Sequence, residues 1–434
     1  MPESKDKINV FWFRRDLRLE DNCALHHALK QDRDVLPVFI FDKGILSKLE
    51  DKSDRRVDYF HQALKEIHQE LKENKSGITV FHEKPLDAFK KLVQQYDIDM
   101  VFCNSDYEPE AIQRDLEIKK FLQKNKIGFK SFKDQVIFEK DEVLKKDGTP
   151  YTVYTPYSKK WKELLHESKI EHFSTSFSSL LKYNPPEFPE LEDIGFKKTD
   201  IKFIKPILKK SIIDDYDKYR DFPTMDHTTH LGVALRFGTI SVRRCVQFAS
   251  EHNETWLNEL IWREFFMQIL YHFPKVVKHS FKEKYENIEW RNNEKEFELW
   301  CKGQTGYPIV DAGMRQLNAT GFMHNRVRMI VASFLTKHLL IDWRWGESYF
   351  AEKLLDYELS SNNGNWQWAA GCGCDAAPYF RVFNPSEQTK KFDSDQKYIK
   401  KWIPEKEIQI KPIVEHVFAR KRALEAYGKA VKEK

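Results

Sequence analysis

The chain has no apolar run of about eighteen residues, the length a membrane-spanning helix needs, so no membrane partner is expected. Cysteine is scarce. The six, at 23, 103, 245, 301, 372 and 374, are scattered and form no disulfide framework. Two fall in a GCGC run (371–374), but no second pair has metal-ligand spacing, so a structural turn and no metal are expected there. Net charge is small, +5 from 72 basic and 67 acidic side chains, and aromatics make up 14%, which together exclude a disordered chain. There is no internal repeat and no low-complexity tract. No Gly-x-Gly-x-x-Gly opens the first helix, so a standard dinucleotide site is unsupported. The opening MPESKDKINVFWF lacks the charged, apolar, small-residue order of a secretion signal, and a cytoplasmic, reducing environment is expected.

What is present is unevenly placed. Residues 1–130 hold 24 basic and 24 acidic side chains, so the whole excess of +5 lies beyond them, a weak pointer to a polyanionic partner. Nine of the eleven tryptophans lie between Trp256 and Trp402. Such clusters usually mean core packing. Beside acids, asparagines and arginines they also invite ring stacking or electron transfer.

The first part alternates strand-like runs, INVFWF (8–13), VLPVFIF (35–41), ITVFH (78–82), MVFCN (100–104) and GFKSF (128–132), with amphipathic helices over 22–31, 53–73, 85–95 and 108–124. Alternation of this kind predicts a parallel, doubly wound sheet. Ligands on such sheets lie beyond the carboxyl ends of the strands, where FRRDLRLEDN would place Arg14, Arg15 and Arg18. Residues 133–210 are punctuated by proline and predict a surface linker. Beyond them helical patterns cover 239–251, 255–271, 294–302, 308–319, 324–338 and 346–357. The expected organisation is an α/β Rossmann-like domain (1–132), a linker (133–210) and an all-α domain (211–434).

Several constellations carry chemistry. Trp256, Glu259 and Trp262 share a helix face, and a glutamate between two indoles is poorly hydrated, which raises its pKa. The commoner reading is an i,i+4 ion pair of Glu259 with Arg263. In HNRVRM (324–329), Asn325, Arg328 and Met329 share a face. Asp356 is positioned to pair with Arg328, with Asn362 presenting an amide to a heterocycle; a helix cap followed by a loop explains 354–370 equally well. TTHLGVALRFGTIS (228–241) offers hydroxyls and glycines ahead of a helix starting near Ser241, which suits a diphosphate.

These blocks, with FWFRRDLRLEDN (11–22), RDFP (220–223), WLNELIWREF (256–265), TGYPIVDAGMRQL (305–317), MHNRVRMIVASFLTKHLLIDWR (323–344), NNGNWQWAAGCGCDAAPYFRVFNP (362–385) and KFD (391–393), resemble DNA photolyases and cryptochromes, most closely class I cyclobutane pyrimidine dimer photolyases. The resemblance spans nearly the whole chain. It implies the photolyase fold, a Rossmann-like antenna domain followed by an all-helical domain holding FAD. Light-driven repair of ultraviolet-damaged DNA by reduced, anionic flavin is the implied activity, making the protein a carbon–carbon lyase.

Carried over residue by residue, the resemblance implies that Tyr216, Thr228, Thr229, His230, Leu231, Gly232, Trp256, Arg328, Asp356, Glu358 and Asn362 bind the flavin. The family usually has Ser at position 232 and Asp at 358. Glu259, Trp262, Asn325, Met329 and Trp368 match the pocket for the flipped-out dimer. Trp366, Trp343 and Trp290 match an electron-transfer chain. Arg220, Arg263, Arg326, Arg381 and Lys390 match positions that hold DNA phosphates. Glu108 and Lys278 resemble positions that hold a methenyltetrahydrofolate antenna; a deazaflavin, another flavin or no antenna are the alternatives. A monomer is expected.

Two rivals follow from the same resemblance. Animal-type (6-4) photolyases carry a His pair in the lesion pocket, whereas here His324 is followed by Asn325 and Met329 stands where the second His is expected. Cryptochrome photoreceptors typically add a long C-terminal tail, whereas about 50 residues follow NPSEQ (384–388) here, and plant- and animal-type members are expected to carry Asp or Cys at position 362.

Overall fold

The computed structural model describes residues 7–408 and 411–432. It resolves into two compact units.

The first unit is built on five parallel strands, β1 (Ile8–Phe13), β2 (Val35–Asp42), β3 (Thr79–Glu83), β4 (Ile98–Asn104) and β5 (Gly128–Phe132), in the order β3-β2-β1-β4-β5. Alternate side chains enter two separate cores. Phe11, Phe13, Phe39, Phe41 and Phe102 pack on one face; Val10, Trp12, Val38, Val101 and Cys103 pack on the other. Burial on both faces is why the central strands β1, β2 and β4 read as nearly continuous apolar runs, the pattern of a parallel sheet covered by crossover helices. The rim beyond β1 is occupied by the chain's own charges. Arg14 bonds Asp115 at 2.5 Å, and Arg18 and Arg243 converge on buried Asp134 at 2.7 and 2.8 Å.

The division of the chain differs from the one expected. The first unit runs to Glu139 and also takes Leu164–Leu208 and Leu231–Phe248; the second takes Lys140–Glu163, Lys209–His230 and everything from Ala249. The stretch expected as a linker (133–210) therefore belongs partly to each unit. It also contains a 14-residue helix, Tyr154–Glu167. Pro156 lies in that helix's first turn, where a missing N–H costs nothing, and Tyr157 and Trp161 are fully buried. Within the second unit the Trp161 indole donates to Glu264 Oε1 at 2.6 Å.

The second unit is all-helical. Glu254–His272, Glu294–Lys302 and Pro308–Thr320 match the periodicity closely, while the pattern over 324–338 becomes Asn325–Ser333 followed by a π-helical turn, Phe334–His338. Leu359–Ala370 is helical although its Asn- and Gly-rich sequence is equally compatible with a loop. Packing overrides the weak propensity of those residues. Gly364 lies so close to Phe266 on the Glu254–His272 helix that a Cβ would collide with the ring, and Gly346 meets Trp366 in the same way. Gly371, in the left-handed conformation at φ +88°, ends this helix, so the GCGC run is a turn, with Cys372 buried.

Candidate functional site

The Glu254–His272 helix starts at Asn253, whose side chain accepts from the Trp256 N–H at 3.1 Å. Trp256 is buried, whereas Glu259 and Trp262 keep part of their surface accessible. Glu259 does not pair with Arg263. Its Oε1 accepts from Arg220 at 2.5 Å, and Arg263 turns to Glu358 at 3.5 Å. Burial raises the Glu259 pKa, against the opposing pull of Arg220. Tyr216 stands beside this pair, with the Arg220 guanidinium 5.4 Å from its ring centre. Tyr154 lies parallel to Trp262, 3.6 Å between centroids and 5° between planes, and its hydroxyl donates to Asn258 O at 3.0 Å. One face of the Trp262 indole is thereby covered and held.

Asn325–Ser333 and Leu359–Ala370 frame a cavity lined by Asn325, Arg328, Met329, Asp356, Glu358, Asn362, Trp366 and Trp368. Residues assigned by the resemblance to two roles, lesion and flavin, thus line one space. Arg328 donates to Asp356 Oδ2 at 2.9 Å, one of the two readings the spacing left open, and also to Met323 O at 2.7 Å. Asp356 Oδ1 is buried without a partner. An unsatisfied buried acceptor is costly, and a heterocycle carrying N–H groups would satisfy it. Asn362 donates both to Glu347 O (3.0 Å) and to Glu347 Oε1 (2.8 Å), which fixes the amide and leaves its Oδ1 for a ligand. Burial raises the Glu347 pKa. This donor and acceptor set fits the isoalloxazine implied by the resemblance.

His324, the N-cap of Asn325–Ser333, has its pKa lowered to about 4, first by burial and then by Arg328, so it is neutral at physiological pH.

The remaining expected residues are distributed as follows. Thr228 and Thr229 are half-buried; His230 has φ +52° and meets Asp226 at 2.8 Å. Leu231 is buried, and Gly232 opens a six-residue helix, Gly232–Phe237, ahead of Val242–His252. The boundary between the units falls between His230 and Leu231. Of the basic residues expected at DNA phosphates, Arg381 and Lys390 are exposed. Arg326 bonds Asp221 at 2.6 Å and lies 4.3 Å from the Phe392 ring centre. With Arg220, Arg263 and Lys390, which meets Glu387 at 2.7 Å, four of the five pair with carboxylates in this state. Glu108, in the first unit, is paired with Arg15 at 2.8 Å. Lys278, in the second, is exposed.

Trp366 and Trp343 are buried and Trp290 is half-buried. Trp366 meets Phe350 and Trp300; Trp290 meets Tyr427. Sequence reasoning missed Tyr154 and Glu347. Each acts on a residue more than ten positions away, and no local pattern marks either.

A family model described as DNA photolyase matches residues 9–175, and one described as the FAD binding domain of DNA photolyase matches 256–430. The chain is 37% identical to the deoxyribodipyrimidine photo-lyase of Synechococcus sp., covering 91% of this chain and 87% of that one. It is 39% identical to the enzyme of the same name from Alkalihalophilus pseudofirmus, covering 93% and 88%. The structure of a bacterial class III photolyase from Agrobacterium tumefaciens superposes with a TM-score of 0.86 at 32% identity, over 99% of both chains. An archaeal photolyase from Sulfolobus tokodaii, solved with two FAD molecules, gives 0.83 at 34% identity, over 97% of this chain and 99% of that one.

Proposed function

The chain belongs to the DNA photolyase family, and from that membership we propose that it is a deoxyribodipyrimidine photo-lyase, splitting cyclobutane pyrimidine dimers in ultraviolet-damaged DNA under blue or near-ultraviolet light. The observation that carries this reading is the single cavity in which Asn325, Met329 and Trp368 meet Arg328, Asp356, Asn362 and Trp366. Reduced FAD, which Arg328, Asp356 and Asn362 would hold, would supply light-driven one-electron chemistry to the dimer with no net redox change.

The chain's residues do the rest. Arg328, Asp356 and Asn362 orient the heterocycle. Trp262 and Trp368 offer flat apolar faces to a dimer taken out of the stack, the general solution of photolyases to a lesion inside a duplex. Met329 packs softly against it. Glu259 and Asn325 meet its polar edges. Glu259, its pKa raised by burial against the pull of Arg220, stabilises the charged dimer by hydrogen bonding. Arg220 fixes that carboxyl in place. Arg326, Arg381 and Lys390 meet phosphates, supplying affinity rather than sequence choice.

Trp343 and Trp290 continue an electron path from Trp366. The protein works as a cytoplasmic monomer on DNA and carries a methenyltetrahydrofolate-type antenna. No described helix is long and apolar enough to cross a membrane.

The test is a repair assay on two oligonucleotides, one with a cyclobutane dimer and one with a (6-4) product, using chemically reduced protein. Light-dependent loss of the cyclobutane dimer alone is expected. Loss of the (6-4) product alone, or of neither, overturns the reading.

A further inference from the structure

The stretch TTHLGVALRFGTIS, whose sequence suits a diphosphate, is divided by the fold. Thr228 and Thr229 belong to the second unit, whereas Thr239, Ile240, Ser241 and Arg244 line a cavity of about 220 Å³ inside the first. None of the residues expected at flavin, lesion, DNA phosphate or antenna lines this cavity. Its apolar wall is made by Leu17, Leu19, Ala63, Ile67 and Phe203. Ala63 and Ile67 come from the Arg55–Glu73 helix. Gln62 of that helix accepts from the Phe203 N–H at 2.9 Å and donates to Ile201 O at 3.0 Å, so the segment carrying Phe203 is tied down against the helix.

The polar groups of the cavity call for a ligand with an anionic end. Ser241 stands at the start of the eleven-residue helix Val242–His252, and the first turn of a helix combines free N–H groups with the positive end of the dipole. Arg18 is 9% exposed. Its Nη1 donates to Gly238 O at 3.0 Å and its Nη2 to Asp21 O and Asp134, which leaves Nε buried without a partner. A buried donor left unmade is costly, and a ligand oxygen would satisfy it. Asp21 is already balanced, since Arg243 meets it at 3.1 Å and Ser241 Oγ donates to it. His172 lies 3.5 Å from the same carboxylate. Lys205 and Arg244 are exposed cations with no carboxylate partner among the described residues. The cavity also carries exposed carboxylates: Glu66 and Glu70, one turn apart on Arg55–Glu73, and Glu20. These repel a simple anion and accept from N–H groups, so the ligand needs donors as well as an anionic end.

We propose that this cavity is a second ligand site, taking a purine mononucleotide. The phosphate lies at the start of Val242–His252, held by Arg244 and Lys205, with the Arg18 Nε–H donating to it. The flat base packs on Phe203 and the aliphatic wall, and its amino group donates to Glu66 and Glu70. The cavity is smaller than the roughly 300–1,000 Å³ of sites for larger ligands, which favours a mononucleotide over a dinucleotide. The apolar wall and the carboxylates together disfavour free phosphate.

The experiment titrates flavin-loaded protein in the dark with adenosine monophosphate, adenosine and inorganic phosphate, read by calorimetry. One adenosine monophosphate per chain is expected, bound about tenfold or more tightly than either adenosine or phosphate, the effect of one charge-assisted hydrogen bond. Arg244→Glu and Lys205→Glu, both at exposed positions, are each expected to weaken adenosine monophosphate by about tenfold or more and to leave adenosine unchanged. Ile67→Trp fills the cavity and is expected to abolish binding of both while FAD content is retained; if that variant does not fold, the two charge variants decide. Phosphate bound as tightly as the nucleotide reduces the site to an adventitious anion contact and overturns the proposal. Adenosine bound as tightly as the nucleotide, nucleotide binding unchanged in the charge variants or in folded Ile67→Trp, or no binding at millimolar nucleotide overturns it as well. Neither light nor damaged DNA enters the measurement, so these failures leave the repair reading intact.

Discussion

Replacing Asp356 tests the cofactor cradle directly. Its carboxylate makes one charge-assisted bond to Arg328 at 2.9 Å, and Oδ1 is buried with no protein partner. Asp356→Ala removes both the anchor of Arg328 and the acceptor left for the ligand. Hydrogen bonds to charged groups contribute about 1.5–3 kcal/mol each, so two amount to about 3–6 kcal/mol. The Arg328 and Asp356 side chains are 25% and 17% exposed, and solvent screening reduces this to roughly 2–4 kcal/mol. That corresponds to FAD binding about 30- to 1,000-fold weaker. Asp356→Asn keeps an acceptor and the shape but loses the charge, and should fall between. The assay is flavin fluorescence during titration of FAD into flavin-stripped protein, with far-ultraviolet dichroism to confirm the fold. Wild-type affinity in a folded Asp356→Ala protein would refute the reasoning, because the orphaned oxygen would then have no role in holding the heterocycle.

Glu259→Ala should lower the light-dependent yield of dimer splitting by about tenfold or more, one charge-assisted hydrogen bond, while changing DNA affinity little; equal losses in both would make Glu259 a binding residue only. Gly364→Ala drives a methyl group into Phe266. It should cost about 1–3 kcal/mol and lower Tm by about 2–4 °C per kcal/mol, and an unchanged melting curve would contradict the close helix contact. Burial lowers the Lys337 pKa to about 7. Between that pH and the ordinary lysine range the unfolded chain binds the extra proton, so stability rises with pH across this window. Denaturant unfolding at several pH values should show this rise in wild type and its loss in Lys337→Met; identical pH profiles would contradict it.

The central strands β1, β2 and β4 were legible because both their faces are largely buried, so they read as nearly continuous apolar or aromatic runs, whereas the edge strands β3 and β5 are more exposed and carry weaker patterns. β1 and β5 match their sequence spans residue for residue. The linker was misread because its prolines look like breakers, while Pro156 sits in a helix's first turn and Tyr157 and Trp161 supply the buried face. Leu359–Ala370 was ambiguous because Asn, Ser and Gly carry little helical preference and its packing against Phe266 is invisible locally. The Arg328–Asp356 pair could be anticipated from complementary charge. The Glu259–Arg220 pair was misassigned, because an exposed i,i+4 pair contributes only a few tenths of a kcal/mol and a partly desolvated tertiary partner outweighs it. Nothing near Tyr154 or Glu347 in the sequence announces that one braces Trp262 and the other fixes Asn362.

Under the proposed function, an electron is lent to the dimer and returned through this one cavity. The most direct measurement mixes reduced, flavin-loaded protein with excess dimer-containing oligonucleotide in the absence of oxygen and follows thymine absorbance and flavin spectrum together under blue light. Many dimers split per protein, with the flavin still fully reduced at the end, are expected. Splitting that stops after one dimer per flavin oxidised, or none in the light, would contradict it.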